Sequence, residues 1–197
     1  MKRQFWKVCK KLANEERVDV LRQVLCAPSS EGISVGEVSD VVRLEQPATS
    51  AYLAQLQGEC GLIAASRQGR YCIYRGEPDY SDANATALLP ALKEYFRAEC
   101  MCFASFNGRR PPAPGFLSVL PALANESRVR VVRFLRAAGR ADKWDIVKAT
   151  GITELNVRRH LACLAECMLM EPDGGKVAWR EPEDDLSKLF IKLAITQ

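Results

Sequence analysis

The chain of 197 residues is 48% hydrophobic and 26% charged, with 28 Lys and Arg against 24 Asp and Glu and a formal charge of +4. That length suits one large domain or two small ones, at about 100–150 residues each, and the composition excludes a disordered polymer. No stretch reaches the roughly 20 apolar residues of a membrane span, and a charge of +4 is too small by itself to imply a nucleic-acid partner.

In chain order, MKRQFWKVCKKLANEER is basic but lacks the apolar run of a signal peptide, so the expectation is a cytoplasmic protein. A short helix ends near Leu12, and Asn14 is placed to cap the next, with Glu15 in its first turn. Val18, Leu21 and Leu25 then recur at helical spacing. SVGEVSDVV, RLE and QPATSAYLAQL predict helix, tight turn and helix. ASRQGRYCIY reads as a hairpin, with strands Ile63–Arg67 and Arg70–Tyr74 about a turn at Gln68-Gly69. Ser81 to Phe103 predicts a long helix opening on a Ser/Asp cap, and SFNGRRPPAPG (Ser105 to Gly115) has the proline and glycine content of a linker.

The chain then repeats itself. Phe5 to Arg22 aligns with Phe116 to Arg133 without a gap, and ten of eighteen positions are identical, including Asn14/Asn125 and Arg17/Arg128. Unrelated sequences share about one such position. Asn125 is the matching cap, and Val129, Val132 and Leu135 are the matching stripe. DKWDIVKAT, GIT and ELNVRRHLACL repeat helix, turn and helix. MEPDGGKVAW repeats the hairpin, with its turn at Asp173-Gly174-Gly175, and PEDDLSKLFIKLAITQ closes with a helix. The expected fold is mainly α with small β-hairpin wings, as tandem winged helix-turn-helix domains: residues 1–80, a connecting or dimerisation helix 81–104, a linker 105–115, and residues 116–197.

The string LANEERVDVLRQVL…ISVGEVSDVVRLEQPATSAYLAQL…GLIAASRQGRYCIYR resembles the winged helix-turn-helix of ArsR-type bacterial transcriptional regulators. An LA-N-x-x-R start, SVGEV, QPATSAYL and a GR-x-x-Y wing carry the resemblance through Arg75, and the second half is a more diverged copy. It implies a DNA-binding repressor, usually dimeric through its terminal helices, with a recognition helix in the major groove and the wing along the phosphate backbone.

Residues near the N-terminus of such a helix face base edges. In the first copy that face is Gln46, Ser50, Ala51 and Tyr52, with Ala48, Thr49 and Leu53 turned to the core, and Arg67, Arg70 and Arg75 carry the charge of the wing. In the second copy Asn156, Arg158, Arg159 and His160 lie on or beside the face, and Lys176 and Arg180 mark the wing. Phe116 to Arg180 holds eleven Lys/Arg against seven Asp/Glu, among them Glu154, Glu171 and Asp173, which would repel phosphate where they face it. The expected partner is double-stranded DNA, bound by a homodimer or by the two copies as an intramolecular pseudo-dimer. Trp144 and Trp179 read as core or hairpin packing.

Eight cysteines accompany one histidine, His160. Their apolar, helix-like settings suggest reduced packing residues. The helix where metal-sensing relatives place a thiolate pair, SVGEVSDVV, has no cysteine. Cys100 and Cys102 point about 200° apart on a helix, whereas Cys163 and Cys167 share a face that continues the core stripe through Leu164. No metal, cofactor or catalytic residue is assigned, because no phosphate loop, nucleophile elbow or Cys-x-x-Cys pair is present. Two alternatives to the DNA-binding repressor stand beside it: a winged-helix protein-interaction module, and a thiol-based metal- or redox-sensing repressor.

Overall fold

A computed structural model describes residues 3–28, 30–98, 106 and 115–196. The helices are α1 (Phe5–Leu12), α2 (Glu15–Cys26), α3 (Val35–Val42), α4 (Gln46–Gln55), α5 (Ala83–Ala98), α6 (Leu120–Leu123), α7 (Glu126–Ala138), α8 (Lys143–Thr150), α9 (Glu154–Glu166) and α10 (Asp185–Ile195). The strands are β1 (Ile33–Ser34), β2 (Ala64–Gln68), β3 (Tyr71–Arg75), β4 (Arg140–Ala141), β5 (Met170–Asp173) and β6 (Lys176–Trp179). The chain divides into two compact units, Met1–Arg3 with Asn14–Pro114 and Gln4–Ala13 with Gly115–Gln197. The mainly helical fold with small antiparallel hairpins is as expected from sequence.

In the first unit the Asn14 side chain accepts from the Arg17 N–H at 2.8 Å, satisfying a donor that the start of α2 would otherwise leave unpaired. Val18, Leu21 and Leu25 are buried on the inner face of α2. Arg22 is also fully buried there; its guanidinium donates to Asp19 at 2.9 Å and lies over the Phe96 ring of α5 at 5.4 Å. A capping box at Ser34 and Glu37 starts α3, whose left-handed end at Arg43 (φ 58°) turns the chain into α4. A single π turn, Leu56–Cys60, continues α4 and buries Leu56 and Cys60. Asp82 caps α5 by accepting from the Asn84 N–H at 2.9 Å.

Each sheet has three strands, with the hairpin's second strand in the middle: β1-β3-β2 in the first unit and β4-β6-β5 in the second. The first hairpin is displaced by one residue from the sequence expectation. Gln68 pairs with Tyr71, so the turn is Gly69-Arg70. Gly69 has φ +60°, and a positive φ at the first central position is the geometry that glycine supplies in a two-residue hairpin turn. The second hairpin pairs Asp173 with Lys176, leaving Gly174-Gly175 as the turn, both at positive φ.

In the second unit Asn125 caps α7 by accepting from the Arg128 N–H at 3.0 Å, and Val129, Val132 and Leu135 are buried. Asp142 and Asp145 form the capping box of α8, Gly151 (φ +66°) ends it, and Asp184 caps α10. Helix α1, expected with residues 1–80, is part of this unit instead. Its stripe of Phe5, Val8, Cys9 and Leu12 is buried against α6 and α10. The Phe190 ring stacks on Phe116 at 5.4 Å and meets Phe5 at 5.9 Å. With α6 only four residues long, α1 supplies the apolar surface that this core needs. The end of the predicted helix 81–104, Cys100 and Cys102 with it, and all but Phe106 and Gly115 of the linker 105–115 lie outside the described residues.

Candidate nucleic-acid interface

Helix α4 is held by its inner side, where Thr49 and Leu53 are buried and Ala48 is half-buried at the margin. Gln46, Ser50 and Ala51 are exposed on its other side, as the spacing predicts. Tyr52 is turned back to the fold. Its hydroxyl donates to Glu16 at 2.6 Å, and the Arg17 guanidinium covers its ring at 5.0 Å. The bond to Glu16, with burial second, holds its phenol above the ordinary value.

The first hairpin, residues 64–75, contains three arginines and no acid. Arg67 is exposed on β2 opposite Cys72, and Arg70 occupies the turn with its guanidinium 5.2 Å from the Tyr71 ring. Arg75 is a structural clamp: it donates to the Ser66 hydroxyl at 2.7 Å and the Glu31 carbonyl at 3.2 Å, bracing the loop before β1 against the hairpin. Cys72 departs from the expectation of buried thiols, because alternation along β3 turns it outward.

Helix α9 is anchored by Val157 and Leu164 and exposes Asn156, Arg158 and Arg159. Of these two arginines, Arg158 is held in an ion pair. Glu154, at the first position of α9, accepts from Lys143 Nζ and from Arg158 Nη2, each at 2.7 Å. The bond from Lys143 is the main influence that keeps its carboxyl below the usual range, and the bond from Arg158 adds to it. His160 is half-buried, and burial followed by the charge of Arg128 lowers its pKa.

The second wing is electrically mixed. Arg140 Nε pairs with Asp173 at 2.8 Å, Lys176 sits across the turn from Asp173, and Glu171 is exposed. Arg180 is exposed beyond the end of β6, at the base of the hairpin rather than its tip. Trp179 is half-buried, with its indole N–H donated to Glu181 at 2.6 Å. Trp144 is not a packing residue: it is 55% exposed at the start of α8, under the Lys143 ammonium at 5.2 Å. Leu155, next to Glu154, is 60% exposed. The Lys143–Glu154–Arg158 cluster is not anticipated from sequence, although the four-residue spacing of Glu154 and Arg158 is an ion-pair signal on a helix. Among the described residues no group of three or more His, Cys, Asp and Glu is arranged to hold a metal ion, and no helix is long and apolar enough to cross a membrane.

Helix, tight turn, exposed second helix and antiparallel wing are the parts of a winged helix-turn-helix protein. Over 110 residues, 54% of this chain, the sequence is 30% identical to the arsenic resistance transcriptional regulator ArsR1 of Pseudomonas putida, and the match covers 82% of that protein. The chain belongs to the ArsR family of transcriptional regulators. No family model matches it, and no solved structure does.

Proposed function

We propose that the protein represses transcription by binding double-stranded DNA through winged helix-turn-helix domains repeated in one chain. The observation that carries this reading is the exposure of the N-terminal side of α4, followed in the same unit by an arginine-bearing hairpin that has no acidic residue. Gln46 has the donor and acceptor pair that reads adenine, and Ser50 donates to base or phosphate. Arg67 and Arg70 supply the sequence-independent attraction of the wing to phosphate. In the second unit Asn156 and Arg159 face outward, Arg158 is shared with Glu154, His160 is a half-buried neighbour, and Lys176 is the basic residue at the wing tip. Tyr52 and Arg180 have the weaker claim: the first is bonded to Glu16, and the second lies away from the tip.

The two units read two half-sites about one helical turn apart as an intramolecular pseudo-dimer. One chain carries both exposed second helices, α4 and α9, which supports this arrangement. The test is binding of the full chain to duplexes taken from DNA flanking its own gene, with light scattering of the complex. One chain per duplex and weaker binding by Arg67→Ala with Arg70→Ala are expected. Undiminished binding by that variant overturns the assignment of the first wing, and two chains per duplex overturns the pseudo-dimer.

A second reading applies to the second unit alone. The exposed Trp144 and Leu155 beside the Lys143–Glu154–Arg158 cluster, where one carboxylate is shared by two cations, favour protein contact at that face. If Arg158→Ala with Arg159→Ala leaves DNA affinity intact while Trp144→Ala abolishes capture of a partner protein, the second unit is an interaction module.

A further inference from the structure

The second unit contains a side-chain cluster that DNA binding does not use. Arg128, three residues into α7, reaches across to α9 and donates from Nη1 to Cys163 Sγ at 2.7 Å; the same nitrogen also bonds the Pro121 carbonyl. Cys163 is half-buried, and one turn later Cys167 is 6% exposed and hydrogen-bonded to it. Aligning YLAQL of the first half with HLACL of the second sets Gln55 and Glu59 opposite these two cysteines, so the pair belongs to the second copy alone.

We propose that Cys163 and Cys167 are a peroxide-reactive dithiol, with Cys163 the attacking sulfur, Cys167 the resolving one and Arg128 the positioning residue. Two thiols one helical turn apart have α-carbons separated by about 6 Å, inside the range a disulfide spans, but β-carbons about 5–6 Å apart against about 3.5–4.5 Å in a disulfide, so bridging requires the last turn of α9 to give way. The guanidinium sets a positive charge against the sulfur that must carry negative charge during attack. Partial exposure lets a small hydroperoxide reach Cys163, whereas burial first, then its neighbour Cys163, pushes the Cys167 thiol up to about 12. Cys167 therefore stays protonated while Cys163 attacks.

The chemistry balances in two steps. The Cys163 sulfur attacks the terminal oxygen of the hydroperoxide and breaks the O–O bond. The thiol proton goes to the departing alkoxide, giving an alcohol (water, from hydrogen peroxide) and a sulfenic acid on Cys163. The Cys167 sulfur then attacks the Cys163 sulfur, and its proton leaves with the hydroxide as a second product, water. Two thiols are oxidised by two electrons and one peroxide is reduced by two. The bridge falls at the C-terminal end of α9, where Cys167 leads through Met168 (φ 57°) into β5, so closure acts on the joint between the helix and its hairpin.

Trypsin releases residues 160–176 as one peptide that carries both thiols and no other cysteine. After brief exposure of the full chain to stoichiometric hydrogen peroxide, this peptide is expected about 2 Da lighter, closed to iodoacetamide and restored by dithiothreitol. In Cys167→Ser the sulfenic acid persists and is trapped by dimedone. In Arg128→Met bridging slows by about tenfold, and Arg128→Lys recovers part of the rate. The proposal is overturned if wild-type protein adds oxygen at Met168 and Met170 in this peptide without losing about 2 Da, or if folded Arg128→Met bridges at the wild-type rate.

Discussion

Glu154 governs how much charge the second unit can offer to phosphate. It holds Lys143 and Arg158, each at 2.7 Å, at the N-terminus of α9. Replacing it with glutamine keeps the shape and removes the charge that occupies both cations. A phosphate contact contributes about 0.9 to the slope of log affinity against log salt. At 0.1 M salt, one decade below 1 M, one additional phosphate neutralised is therefore worth roughly eightfold, and two are worth about sixtyfold. Fluorescence anisotropy with a labelled duplex of arbitrary sequence reads both affinity and slope, since this contribution is independent of sequence. Glu154→Gln is expected to bind at least about eightfold more tightly, with the slope steeper by about one to two. Unchanged affinity and slope in a folded variant would refute the reasoning that α9 meets the phosphate backbone.

Asn14→Ala and Asn125→Ala each remove a helix cap and are expected to cost about 1 kcal/mol in urea unfolding; no loss in either would show that the cap bonds at 2.8 and 3.0 Å are not stabilising. Deleting residues 1–13 strips Phe5, Val8 and Leu12 from the second unit, at about 1.5–3 kcal/mol for each buried side chain. Hydrogen exchange should then quicken in α6 and α10 while α3 and α4 stay protected, and equal protection in both would contradict the grouping of α1 with the second unit. Because the folded His160 pKa is below its unfolded value, the unfolded chain takes up more protons, so stability falls as pH drops through and below about 6.5. His160→Gln is expected to flatten that part of the stability profile between pH 7 and 5, as followed by thermal unfolding.

Local chemistry makes much of the fold legible. Asn14 and Asn125 announce helix starts through a side-chain acceptor that needs no tertiary context, and the turns at Arg43 and Gly151 fall where the helical patterns break. Strands β1 and β4 are invisible in sequence because two residues have no periodicity; they exist only because the middle hairpin strand has a free edge. The one-residue shift of the first hairpin follows from the backbone: Gly69 takes the positive φ of the turn's first central position, which moves Gln68 into the strand. The destination of α1 is equally hidden, since an apolar stripe says that a face is buried but not against what. At the candidate interface, spacing places Gln46, Ser50, Asn156 and the arginine pair outward, because the helical period decides that. Spacing does not show that Tyr52 is bonded to Glu16, that Lys143 joins Glu154 and Arg158, or that Arg75 serves the loop before β1. Those partners come from distant chain positions or from side-chain rotamers.

Whether the exposed helices and the arginine wing meet DNA is tested most directly by the salt dependence of duplex binding. Affinity is expected to fall steeply between about 50 and 200 mM salt, as several phosphate contacts require, with a shallower slope when Arg67 and Arg70 are both alanine. No binding of duplex DNA at low salt, or binding whose slope is near zero and indifferent to those arginines, would contradict it.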